Sequence, residues 1–288
     1  MPQPQGKKRR RARYHFSFVV LAAMAAFIIC FVLYMKNTTL EQVLDGSSLP
    51  IADSVTDSAE DSELDSTSDE SITDESSVAD NVPAGSATNP IGESASVGMD
   101  YFNTCAFVGD SITDGLASYQ IFDRKNVYAS IGMNIQKIDT EVIATSYGEM
   151  TVLEGLVQRN PQNIYIMLGS NGIAWLTNDQ MISKHSAFID SIKIKLPNAK
   201  IYVISIPPVT ASREVAAESP IKNSDIDAYN SELLKLANEK SVYFVDLNTA
   251  LKDNSGKFPD EMAARDGYHF QRSTYDVMLD FLMTHVAN

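Results

Sequence analysis

An α/β domain built on a five-stranded parallel sheet is what the latter part of this 288-residue chain predicts. Short apolar runs rich in Val, Ile, Tyr and Phe recur after residue 100, and stretches with helical spacing of apolar residues lie between them. The runs are near-continuous rather than alternating, the pattern of strands buried on both faces, and alternation of strand with helix is how parallel strands are connected. A domain of roughly 190 residues is ample for such a core.

Taken in order, the first run covers 104–108 and is followed by a helical stretch near 113–120. The second, 127–131, precedes a long stretch read as helix over 139–159. The third, 164–168, leads to a helix over 177–195. The fourth, 201–206, leads to one over 223–239, where Ile226, Tyr229, Leu233, Leu234 and Leu236 recur at helical spacing. Asp225 and Asp227 are read as the start and the solvated side of that helix. The fifth run is 242–245, and a last helix covers 272–286.

The first hundred residues are of another kind. Residues 1–36 carry seven Lys or Arg and no acid, whereas 37–100 carry fifteen Asp or Glu and no base. Residues 16–35 hold no charge across twenty positions, which as a helix spans about 30 Å, one hydrocarbon thickness. A cleaved secretory signal is the alternative, but no small-x-small site follows the run. The expected layout is a basic cytoplasmic tail at 1–15, a transmembrane helix at 16–35, a disordered acidic Ser/Thr-rich linker at 36–99 and a folded α/β domain at 100–288. The cluster Lys7 to Arg13 before the span, against Lys36 alone just after it, places the amino terminus in the cytoplasm and the domain outside. The linker has too few apolar residues to offset the entropy of ordering it. A net charge of −14, with the one basic cluster beside the apolar segment, argues against a nucleic-acid partner. Of the two cysteines, Cys30 lies in the span and Cys105 in the first strand, so no disulfide joins them.

Ligands of open parallel sheets bind beyond the carboxyl ends of the strands. That rule selects Gly109-Asp110-Ser111, Gly132-Met133-Asn134, Gly169-Ser170-Asn171-Gly172 and Pro207-Pro208-Val209-Thr210. Ser111 at a strand end and helix start is placed to attack an electrophile, and it is equally placed to cap the helix. A serine nucleophile needs a base. Of the four histidines, His15 flanks the apolar segment, His185 sits in a predicted helix between Lys184 and Ser186, and His285 is near the carboxy terminus, which leaves His269. Asp266, three positions earlier, can share a turn with His269 and accept its Nδ1 proton, although Asp-Gly is also a common surface turn. Oxyanion stabilisation calls for donors fixed in advance. The backbone N–H groups of Gly132 and of Ser111 itself, with the side-chain amide of Asn171, meet that need, and each also reads as an ordinary loop residue. Trp175 and Tyr268 are candidate substrate-binding residues, and packing residues otherwise.

Ser111 in G-D-S-I-T, Gly132, Asn171 in G-S-N-G, and Asp266 with His269 in D-G-Y-H occur in the order that resembles the SGNH, or GDSL, hydrolase superfamily, over about residues 103–286. The resemblance implies a three-layer α/β/α flavodoxin-like fold and an esterase, lipase, acetylesterase or thioesterase that uses no metal or other cofactor. It implies Ser111 as nucleophile, His269 as base, Asp266 as its orienter, and Ser111, Gly132 and Asn171 as the oxyanion hole. One position departs from the pattern. The third block of the family is usually G-x-N-D, and Gly172 stands where that Asp would be. The α/β-hydrolase elbow G-x-S-x-G does not fit, because Thr113 occupies the final glycine's place. The stretch Asp253-Asn254-Ser255-Gly256 lacks the ligand spacing of a calcium loop, so no metal is expected.

The expected protein is therefore a membrane-anchored serine esterase facing the cell envelope, acting on carboxylic, including acetyl, esters of a glycan or lipid. Two other functions use the same residues: acyl transfer to an envelope glycan, and a tethered binding module that keeps the fold without activity. The sequence leaves the natural ester and the oligomeric state open.

Overall fold

The computed structural model describes residues 88–217 and 221–287. The expected tail at 1–15, the apolar segment at 16–35 and most of the linker lie outside the described residues. Among the described residues no helix is long and apolar enough to cross a membrane.

Strand β1 (Cys105–Gly109) runs into helix α1 (Ser111–Ser118), and β2 (Val127–Ala129) follows. Next come β3 (Val142–Thr145), β4 (Gly148–Thr151), α2 (Val152–Arg159), β5 (Asn163–Met167) and α3 (Asn178–Lys195). Strand β6 (Lys200–Ile204) leads to the short α4 (Ala211–Glu214) and to α5 (Asn223–Glu239). The chain then forms β7 (Tyr243–Val245), α6 (Leu247–Leu251) and α7 (Arg272–Met283). Five strands pair in the order β2-β1-β5-β6-β7, all parallel. They are the five apolar runs of the sequence, displaced by no more than two residues at either end.

Both faces of the sheet are covered. Alternate residues of a strand face opposite sides, so Ala106 and Val108 join a core with Leu156, Phe188 and Leu233, from α2, α3 and α5. Cys105 and Phe107 join another with Leu116, Leu247 and Leu282, from α1, α6 and α7. On that second face Tyr165, Tyr202 and Tyr243 stand in register on neighbouring strands and stack at 4.4 and 5.1 Å between ring centroids. Cys105 is a buried free thiol, as its apolar strand implies.

The expected helix over 139–159 is corrected. Residues 142–151 form an antiparallel hairpin, and only Val152–Arg159 is helical. Val142, Ile143 and Thr145 favour extended backbone, and Thr145 Oγ1 closes the turn by accepting from Tyr147 N at 3.0 Å and donating to Gly148 O at 2.8 Å. Thr151 and Glu154 then cap α2 reciprocally, which fixes where the helix can start.

The expected boundary at residue 100 is also too late. Asn89 bonds through its side chain to Val242 O and Phe244 N, at 2.8 and 2.6 Å. Ile91 N donates to Phe244 O, Ser94 N to Thr284 O and Val97 N to Met283 O. These bonds, with Ile91 packed on the second core, offset the entropy of ordering a polar segment that composition alone assigned to the linker.

The connection from β1 to β2 moves toward one edge, and the next parallel strand, β5, pairs on the other side of β1. The carboxyl ends of β1 and β5 therefore flank the topological switch point, where a crevice forms. Gly109-Asp110-Ser111 and Gly169-Ser170-Asn171 are the segments that flank it.

Candidate active site

Ser111 is the first residue of α1, so its N–H is one of the helix donors that no intrahelical carbonyl reaches. The residue that caps the helix is Asp110, whose Oδ1 accepts from Ile112 N at 3.0 Å. Ser111 Oγ is thereby free to face elsewhere, and it lies 2.8 Å from His269 Nε2. His269 Nδ1 is 2.6 Å from Asp266 Oδ2, while Asp266 Oδ1 accepts from the N–H groups of Tyr268 and His269, both at 3.0 Å. Partial burial works to raise the Asp266 pKa. The bonds from the imidazole and from the two backbone N–H groups outweigh it, and the carboxyl is held below its ordinary range. An ionised Asp266 accepts the Nδ1 proton, which leaves Nε2 with a lone pair toward Ser111.

Asn171 follows the end of β5. Its side-chain N–H donates to Met133 O at 3.0 Å, and its own carbonyl accepts from Asn134 Nδ2 at 3.1 Å. These two bonds fix the amide against the loop that carries Gly132, and the second amide hydrogen is left to donate elsewhere. Gly132 adopts φ 79°, in the left-handed region, and a side chain there would meet nothing within 4 Å. Its identity answers to the backbone turn rather than to crowding. Gly172 is the reverse case: a Cβ would fall 2.7 Å from Met181 Sδ and 2.9 Å from Leu176 Cδ1. Those apolar groups occupy the room that an aspartate at this position would need.

A cavity of about 330 Å³ adjoins this cluster, with Asn171, Trp175, Arg213, Tyr268 and His269 among its walls. Trp175 is 71% exposed and packs into no core, so it presents a free ring face. Tyr268 also lines the cavity, and its ring meets that of His269 edge-on at 4.8 Å. Ser111, His269 and Asp266 are thus joined directly, and Asn171, Trp175 and Tyr268 border the same hollow. No group of three or more His, Cys, Asp or Glu among the described residues is arranged to hold a metal.

Two buried groups that sequence reasoning did not single out support the site. His185 is fully buried, and its Nε2–H donates to Leu168 O at 3.1 Å, just before the loop that carries Asn171. Its place among polar residues of α3 disguised it, because its partner lies 17 positions away. Asp110 is 1% exposed, and the strand-to-helix junction was the signal for a capping residue there. Burial pushes the Asp110 carboxyl up to about 6, against the opposing pull of Ile112 N–H and His269. Burial pushes the His185 imidazole down to about 4.

The two shifts act on stability with opposite signs. An unfolded histidine binds a proton near ~6.5, whereas folded His185 stays neutral to about 4, so acidification through that window favours unfolding. An unfolded aspartate ionises near ~3.9, whereas folded Asp110 keeps its proton up to about 6. Its contribution is full below the lower value and is lost as pH rises to the upper. Asp110→Asn keeps a capping oxygen but removes the second effect. Urea unfolding at pH 4, 5 and 6 should show the variant losing roughly 2–3 kcal/mol relative to wild type between pH 6 and pH 4. Parallel curves would contradict the burial of Asp110 as a titrating group.

A hydroxyl, an imidazole and a carboxylate thus lie bonded in series at the carboxyl edge of a parallel sheet. The chain belongs to the GDSL-like lipase/acylhydrolase family, whose model matches residues 107–277, and it is a carboxylic ester hydrolase. Similar solved structures include a platelet activating factor candidate from Streptococcus pneumonia, at 21% identity over 64% of this chain and 87% of that one, with a TM-score of 0.51. A GDSL-like lipase from Bacteroides thetaiotaomicron gives 18% identity, 62% and 84% coverage and a TM-score of 0.48. An acetylxylan esterase from Geobacillus stearothermophilus gives 15%, 62% and 91%, and 0.45. At 21% identity the first of these is a likeness of fold. No curated protein matches the chain.

Proposed function

We propose that this ester hydrolase works through Ser111 as nucleophile, His269 as general base and then acid, and Asp266 as the group that orients the imidazole. The observation that carries the reading is the unbroken series from Asp266 Oδ2 to His269 at 2.6 Å and from His269 to Ser111 Oγ at 2.8 Å. Nε2 takes the Ser111 proton as Oγ bonds to the ester carbonyl carbon, and the carbonyl electron pair moves onto its oxygen. The N–H groups of Ser111 and Gly132 and the amide of Asn171 hold that oxyanion. Collapse breaks the bond to the alcohol oxygen, which takes the proton from Nε2. Water then gives a proton to Nε2 and bonds to the acyl carbon. The second collapse releases the acid and returns Ser111 its hydrogen. Asp266 keeps its charge throughout, which stabilises the imidazolium in both halves.

The reading is tested by treating the full chain with a fluorophosphonate and locating the adduct by mass spectrometry. The label is expected on Ser111; a reactive protein labelled only elsewhere would overturn the assignment. Asn171→Ala should lower kcat on a p-nitrophenyl ester by about 10² to 10³ with little change in KM, because the amide acts on charge that develops only in the transition state. A fall of less than threefold would remove Asn171 from the oxyanion hole. We further place the enzyme on the outer side of a membrane through residues 16–35. That placement rests on the basic cluster at 7–13 before the uncharged run.

A further inference from the structure

Arg213 is among the walls of the cavity beside His269, and among the described residues it has no counter-ion. Arg213 lies in α4, whose cap is Thr210, and Thr210 N donates to Gly267 O at 3.0 Å, within the Asp266–His269 turn. The Arg213 Cβ packs against Gly267 itself, so the guanidinium stem is held against the segment that sets the imidazole. Among the described residues, the carboxylates of its own helix and of the Asp266–His269 turn are already engaged. Glu214 pairs with Lys257 and accepts from Asn223, and Asp266 is occupied by His269 and Tyr268. Among the described residues Arg213 forms no ion pair, and its Nε is closed off from solvent with no hydrogen-bond partner. The two terminal nitrogens of such a guanidinium remain a fork with strong affinity for the paired oxygens of a carboxylate or phosphate.

The position of the cavity says which half of an ester meets that fork. His269 protonates the departing alcohol, so the alcohol must lie on the imidazole's side of Ser111. That side is the hollow bordered by His269, Asn171, Trp175 and Arg213. We propose that the alcohol portion of the natural substrate carries an anionic group, a carboxylate or a phosphate, and that Arg213 binds it. Trp175 and Ile221 supply the apolar wall for the carbon frame between the anion and the ester oxygen. The inference rests on the catalytic reading above and narrows its substrate to acidic esters.

Three aryl acetates separate the cases on the full chain: 4-acetoxybenzoate, 4-acetoxyphenyl phosphate and the neutral methyl 4-acetoxybenzoate. Comparing the anionic-to-neutral ratio of kcat/KM between proteins cancels the leaving-group chemistry. Arg213→Gln is expected to lower that ratio by about tenfold or more for at least one of the two anions, mainly through KM, and Arg213→Lys to keep part of it. The arm with the larger change identifies the anion. A ratio within twofold of wild type for both anions in both variants would overturn the proposal while leaving Ser111 and His269 in place. Wild-type protein alone provides a second reading: benzoate and phenyl phosphate should compete with the neutral ester better than benzyl alcohol does, and equal inhibition by all three would also overturn it. If wild type cleaves none of the three esters through Ser111, the catalytic reading fails and this inference falls with it.

Discussion

Replacing Ser111 with alanine is expected to lower kcat on a p-nitrophenyl ester by about 10⁵ and to abolish the fluorophosphonate adduct. The hydroxyl lies 2.8 Å from His269 Nε2, within reach of its lone pair. Its removal leaves an oxyanion site and an unemployed base, so a small residual rate from binding and orientation should persist. Folding should be little affected. The helix is capped by Asp110, not by Ser111, and the methylene that remains fills the same space. Thermal unfolding should thus shift by only a few degrees. A variant that turns over within tenfold of wild type would exclude the serine mechanism for this chain.

Asp266→Asn should cost about 10⁴ in kcat at neutral pH, with KM nearly unchanged. The argument follows from how the two carboxylate oxygens are used. Oδ1 accepts from two backbone N–H groups, and Oδ2 accepts from the imidazole. An asparagine must keep its carbonyl oxygen where the backbone donors point, so its amide nitrogen faces Nδ1. That nitrogen can only donate, which obliges Nδ1 to accept and moves the ring proton to Nε2. The imidazole then has no lone pair toward Ser111, and the shape of the site survives without its chemistry. Steady-state kinetics across pH 6–9 check this. Retention of more than a tenth of wild-type kcat near pH 7 would show that the tautomer is not held by Asp266.

The pairing of Ser111 with His269 was legible although the two lie 158 positions apart, because two physical rules act together on the sequence. Continuous apolar runs locate parallel strands, and parallel strands deliver the residues after their carboxyl ends to one edge. The hairpin at 142–151 was not legible in the same way. Its strands are four residues each, too short for a period of two to stand out from helical spacing. Thr151 and Glu154 did carry a capping signal, and it marks where the helix begins. His185, Asp110 and Arg213 escaped for another reason. What they do is set by burial, and for His185 also by a partner 17 positions away, neither of which a polar residue marks in its own composition. Gly172 departs from the family pattern, yet its crowding by Met181 and Leu176 became visible only once α3 was packed.

The strap at 89–97 and the last helix hold one another, since Ser94 bonds to Thr284 and Val97 to Met283. His269, the base of the proposed mechanism, arrives on the same late segment as that helix. A ribosome making this chain therefore extrudes Ser111 long before His269. The strap and the Ser111–His269 contact both stay open until the segment from 266 to 284 emerges.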